Sequence, residues 1–198
     1  MILGGFFLKC IAVLGSPRSM MNTELLLEHV ILGLRQMDVE VEKIKLKDLI
    51  INPCIACDAC TKTGKCFKKD DMEQLYHKFN TSDIIVIASP LYFNSVTGIT
   101  KMMIDRCQAF WSSKYVLNNP TIDRNKVRSG LFICTAGSQQ TDNGFLGATL
   151  VMELFFKAIN TNYKYNLLID NTDKKFTGER KDVLEHATHI GCELSKLL

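Results

Sequence analysis

Short, nearly continuous apolar runs alternate along this chain with longer stretches in which apolar residues recur every three or four positions. Residues 8–14 form the first run and stop at Gly15, as a strand buried on both faces would. Leu26, Leu27, Val30, Ile31, Leu34 and Met37 then fall on one face of a helix. The alternation continues with a strand over 39–44, a helix over 71–79 with Met72, Leu75, Tyr76 and Phe79 inward, and a strand over 83–88. A helix over 97–111, a strand over 127–134, a helix over 146–160, a strand over 163–169 and a helix over 180–197 complete the pattern. Five strands alternating with five amphipathic helices predict an α/β fold: parallel strands need crossovers, and the helices are those crossovers, covering both faces of the sheet.

Composition narrows the function. The 198 residues are 46% hydrophobic and 23% charged, and a net charge of +3 is too small an excess to predict a nucleic-acid footprint. The longest nearly apolar run, residues 1–14, contains Lys9 and two glycines, is shorter than a membrane span and lacks a basic start and cleavage site. A cytoplasmic protein that does not engage a membrane is expected. In that reducing setting the eight cysteines argue for chemistry rather than for a disulfide framework.

Open parallel sheets bind ligands beyond the carboxyl ends of their strands. After the first strand comes Gly15-Ser16-Pro17-Arg18-Ser19-Met20-Met21-Asn22-Thr23, neither a dinucleotide fingerprint nor a P-loop. It offers hydroxyls, a guanidinium and a helix start to a monophosphate. It reads equally well as a polar loop capped by Asn22 or Ser19. After the third strand, Pro90-Leu91-Tyr92-Phe93-Asn94 could hold a flat heteroaromatic ring or simply cover the core. After the fourth, Ala136 and Gly137 allow close approach of backbone to a ligand.

Gly15-Ser16-Pro17-Arg18 with Asn22-Thr23, the segment from Cys54 to Cys66 followed by Asp70-Asp71-Met72, then Ser89-Pro90-Leu91-Tyr92-Phe93 and Asp105-Arg106-Cys107-Gln108 resemble the flavodoxin-like NADPH-dependent FMN reductases, and within them the iron-sulfur flavoproteins. The resemblance implies one flavodoxin-like FMN-binding domain over residues 1–198, strand order 2-1-3-4-5 and FMN as cofactor. It implies that Ser16, Arg18, Asn22 and Thr23 surround the phosphate. Pro90, Leu91, Tyr92, Phe93 and Asn94 would then surround the isoalloxazine and ribityl chain, with Ala136 and Gly137 approaching the ring. The stretch 138–143 matches no motif of the family.

Cys54, Cys57, Cys60 and Cys66 fall in one cysteine-rich loop with the spacing C-x2-C-x2-C-x5-C, beside Lys62, Lys65, Lys68 and Lys69. Related spacings surround a 4Fe-4S cluster. Zinc and a cluster-free, redox-active loop remain competing readings. Cys10, Cys107, Cys134 and Cys192 lie among apolar neighbours and read as buried small hydrophobes. His186, His189 and Cys192 share a helix face that nothing completes as a metal site.

The expected activity is that of an FMN-dependent oxidoreductase in which the flavin carries the chemistry, so no catalytic side chain is assigned. Its electron donor would be NAD(P)H or a redox protein such as ferredoxin. A cluster-free FMN or quinone reductase and a zinc-bearing binding module are the alternatives. The family resemblance implies a homodimer or homotetramer, with Tyr92-Phe93 and Phe110-Trp111 as contact surface.

Overall fold

In the computed structural model, which describes residues 7–197, five parallel strands stand in the order β2-β1-β3-β4-β5, the flavodoxin-like order. They are β1 Lys9–Leu14, β2 Glu40–Lys45, β3 Ile84–Pro90, β4 Ser129–Thr135 and β5 Asn162–Ile169. Residues 1–6 and 198, which the sequence reading included in the domain, lie outside the described residues. The helices are α1 Asn22–Gln36, α2 Ala59–Thr63, α3 Met72–Thr81, α4 Gly98–Arg106, α5 Gln108–Tyr115, α6 Leu146–Ala158 and α7 Lys181–Ser195. Among the described residues none is long and apolar enough to cross a membrane.

The three central strands are the three uninterrupted apolar runs, and their alternating side chains feed two cores. Ile11, Val13, Ile85, Ile87, Phe132 and Cys134 pack beneath α3 to α6, whereas Cys10, Ala12, Leu14, Ile84, Val86, Leu131 and Ile133 pack beneath α1 and α7. The edge strands β2 and β5 largely alternate exposed and half-buried residues, and within them only Ile44 and Leu167 are fully buried. Edge β2 carries Glu40, Glu42, Lys43 and Lys45, charges that discourage pairing with another chain.

One helix differs from its prediction. The continuous stripe over 97–111 is broken at Cys107 into α4 and α5. Tyr76 donates its hydroxyl to the Arg106 carbonyl at 2.8 Å, occupying the acceptor that a continuous helix would use. The chain tightens there instead, with Cys107 N–H bonding to Ile104 O and Phe110 N–H to Cys107 O, both at 2.9 Å. The break also buries Phe110, at 4% exposure, so it cannot form the contact surface expected of it. Helix α2, inside the expected cysteine loop, is likewise new.

Candidate functional site

The loops after β1, β3, β4 and β5 enclose a cavity of about 330 Å³ at the carboxyl edge of the sheet. Its lining includes Ser16, Arg18, Asn22, Thr23, Pro90, Leu91, Tyr92 and Gly137, eight residues singled out in the sequence. It also includes Met21, Thr135 and Ser138, which lie in or beside the first and third of those loops but were assigned no contact, and Thr172 and Asp173 from the loop after β5, which the sequence reading missed. Phe93, Asn94 and Ala136 do not line it.

The first wall is a loop shaped by its own hydroxyl. Ser16, 4% exposed, accepts the Arg18 N–H at 3.2 Å and donates to the Arg18 carbonyl at 3.1 Å. Neither Ser19 nor Asn22 caps α1. Met21 holds the cap position without a side-chain bond, Ser19 accepts from Lys47 Nζ at 2.6 Å, and Asn22 Oδ1 accepts the Thr177 N–H at 2.8 Å. The uncapped first-turn N–H groups and the Arg18 guanidinium therefore make an electropositive corner, suited to an anion.

Behind that corner sits Glu24, fully buried and bonded to Lys43, Lys45 and the Met20 N–H. Burial alone would raise its pKa, but these donors outweigh it and hold the carboxyl at about 2. The Met20 bond fixes a residue at φ 52°, in the left-handed region. Glu24 falls three and seven positions before Leu27 and Ile31, which places a carboxylate on the buried stripe. That misplaced polarity is the signal the pattern offered for it.

The second wall ends in a tight turn. Tyr92 and Ser95 exchange backbone bonds of 2.8 and 3.0 Å around Phe93 and Asn94, at φ 50° and 57°. Two successive left-handed residues make a turn of type I′, and it projects Phe93 fully into solvent beside the cavity. Ser89 and Thr97 secure its base: Ser89 Oγ accepts the Thr97 N–H at 3.0 Å, and Thr97 Oγ1 donates to the Gly15 carbonyl at 2.7 Å.

The third and fourth walls run side by side, since the Thr172 and Asp173 N–H groups donate to Ala136 O and Gly137 O at 3.1 and 3.0 Å. A Cβ on Gly137 would fall 2.3 Å from Asp173 Oδ2, so a glycine lets the Asp173 carboxylate reach the cavity wall. The buried pair Thr23 and Thr135, hydroxyls 2.6 Å apart, joins α1 to β4.

The four clustered cysteines lie between β2 and α3, apart from this cavity. Residues 52–58 are exposed and without regular structure, with Ala56 and Asp58 in the left-handed region. Cys54 and Cys57 are exposed, and Cys60 and Cys66 are half-buried. Among the described residues no three Cys, His, Asp or Glu side chains gather closely enough to hold a metal ion. The donors nevertheless fit iron–sulfur chemistry in kind: four free thiols on 13 residues, none fully buried, beside four lysines. The other cysteines differ. Burial pushes the Cys134 thiol up to about 12, and Cys10 and Cys107 further in the same direction. Cys192 is only half-buried, its thiol donating to the Gly33 carbonyl at 3.4 Å.

Residues 8–151 match the NADPH-dependent FMN reductase family, and the chain belongs to that FMN-binding family. It is 42% identical over 112 residues to an iron-sulfur flavoprotein of Archaeoglobus fulgidus, covering 57% of this chain and 55% of that one. To an iron-sulfur flavoprotein of Methanocaldococcus jannaschii it is 38% identical over 99 residues, covering 50% and 51%. The chain thus spans about half the length of the curated relatives it matches. Among solved structures, an FMN-dependent NADH-azoreductase from Bacillus anthracis in complex with FMN superposes with a TM-score of 0.70 at 14% identity, over 96% of this chain and 99% of that one. At that identity the likeness is one of fold.

Proposed function

We propose that the protein is an FMN-dependent oxidoreductase that moves electrons from a nicotinamide to a small or protein acceptor. The observation that carries this reading is the cavity in which Arg18 and the uncapped start of α1 face the loops after β3 and β4. FMN, when bound there, supplies the redox chemistry. Arg18, Ser16, Thr23 and the first-turn N–H groups would hold its phosphate, while Pro90, Leu91 and Tyr92 would line the ring and exclude water from it. Gly137 would let backbone meet the ring edge, and Asn22 would act by tying the loop to the Thr177 turn. NADPH as donor rests on the family's name, and ferredoxin is the protein donor this chemistry would suit. Homodimers or homotetramers would cover Tyr92, Phe93 and Trp111.

Cys54, Cys57, Cys60 and Cys66 are proposed to ligate a 4Fe-4S cluster. Their spacing supports this, as does the likeness to relatives that are iron-sulfur flavoproteins by name. A cluster-free quinone or FMN reductase is the second reading, favoured by the separation of the four thiols among the described residues. A cytoplasmic setting would keep those thiols reduced. The test is an absorption spectrum of anaerobically purified protein with flavin, iron, sulfide and zinc analysis. Yellow protein that releases FMN on denaturation is expected. Absence of flavin, with no uptake of added FMN, would overturn the reading.

A further inference from the structure

The two ends of the cysteine segment meet at one buried guanidinium. Arg106, in the last turn of α4, has a side chain only 1% exposed and forks onto Asp70, with Nη1 to Oδ2 at 2.7 Å and Nη2 to Oδ1 at 3.1 Å. Nη1 also donates to the Asn52 carbonyl at 2.8 Å, and Nη2 reaches the Lys68 carbonyl at 3.5 Å. Asp70 completes its shell by accepting from Asn52 N, Asn52 Nδ2 and Met72 N at 3.0, 3.1 and 3.1 Å. Asn52 lies two residues before Cys54 and Lys68 two after Cys66, so these bonds close the base of the segment. Asp71 adds a second rung: its carboxylate accepts the Ile50 N–H at 2.7 Å, and its N–H donates to Ile50 O at 3.1 Å.

A buried ion pair is weak evidence of stability on its own, because desolvating both charges offsets much of their attraction. What it fixes explains it better. Above this base the segment touches the fold through α2, where Gly64 at φ 71° seats against Ser113 and Cys60 Sγ lies 3.5 Å from Ser112 Oγ. Between the two anchors, residues 52–58 are exposed. Arg106 also keeps one buried donor, Nε–H, without a partner, and its own carbonyl accepts from Tyr76, which shares a cavity lining with Cys66.

We propose that Arg106 and Asp70, with Asn52, are positioning residues for the cysteine segment: the buried clasp holds its two ends together so that Cys54, Cys57, Cys60 and Cys66 act as one ligand set. This rests on the ligand role proposed above. It gives a function to Asp70 and Arg106, which neither line the flavin cavity nor carry a thiol.

The test compares wild type with Arg106→Lys and with the charge-neutral double variant Asp70→Asn/Arg106→Gln, all FMN-bound. Amide hydrogen exchange and alkylation rates of the four cysteines are read before any iron is added. In the double variant, exchange over 53–67 should rise roughly tenfold or more, because local opening follows the local contacts removed. Exchange elsewhere and FMN affinity should hold, and Arg106→Lys should fall between. After anaerobic iron and sulfide loading, the double variant should hold less iron than wild type and show an altered electron paramagnetic resonance spectrum when reduced. Unchanged exchange in the double variant would overturn the clasp. So would raised exchange with wild-type iron content and spectrum. A wild type that takes up no iron would sink the cluster reading, while the exchange result still decides the clasp.

Discussion

Glu24 shows how a single residue can matter through partners that local sequence does not reveal. Its carboxylate sits behind the anion corner, receives Lys43 and Lys45 from the neighbouring strand, and holds Met20 in place. Its pKa is lowered from 4.5 to about 2 on folding, so its stabilising contribution is present above pH 4.5 and is lost as pH falls toward 2. Thermal unfolding across this window should show the wild type losing stability with acid, and Glu24→Gln, already weaker at neutral pH, losing much less. Parallel curves would remove Glu24 as the source. Arg18 acts at the corner itself: Arg18→Ala should weaken FMN binding about ten- to hundredfold in a fluorescence titration, the loss of one charge-assisted contact. That Arg18 and Ser16 line the cavity was legible because a polar loop between a strand's carboxyl end and a helix start lies where open sheets form clefts. Asp173 was not, because only the side-by-side run of two loops brings it to Gly137.

At the scale of elements, hydrophobic period placed all five strands, the helices of the four crossovers and α7 after the last strand, with ends displaced by a few residues. It missed the break between α4 and α5, because a stripe with unbroken period cannot register an acceptor taken by Tyr76, 30 positions away. It also missed α2, whose five residues are too short to show a period. Tyr76→Phe should isolate the first effect. Losing the bond to Arg106 O should cost about 0.5 to 1.5 kcal/mol in denaturant unfolding. It also frees the carbonyl that anchors the junction, so exchange at the amides of Cys107 and Phe110 should rise more than at the centre of either helix. A stability loss spread evenly over α4 and α5 would mean that the ring's packing against Phe110, not the hydroxyl, shapes the junction.

For the whole molecule, the sheet separates two candidate sites. The cavity proposed for the flavin is built from loops after β1, β3, β4 and β5, whereas the cysteine segment leaves β2 and is held by α3, α4 and α5. The strand order that makes this division was legible through the family resemblance. The positions of the four sulfurs were not, because spacing reports which residues can ligate and not how a segment with left-handed Ala56 and Asp58 is folded. Separate supports predict separable losses. Serine at Cys54, Cys57, Cys60 or Cys66 should lower iron and sulfide together after anaerobic loading, while FMN stays bound at wild-type affinity. Serine at Cys10 or Cys134 puts a hydroxyl where a buried thiol packs, so it should lower the unfolding midpoint and leave the iron content of the folded fraction unchanged. Loss of FMN together with iron in all four segment variants would show that the flavin site and the cysteine segment form one cooperative unit, and the division of labour drawn from the sheet would be wrong.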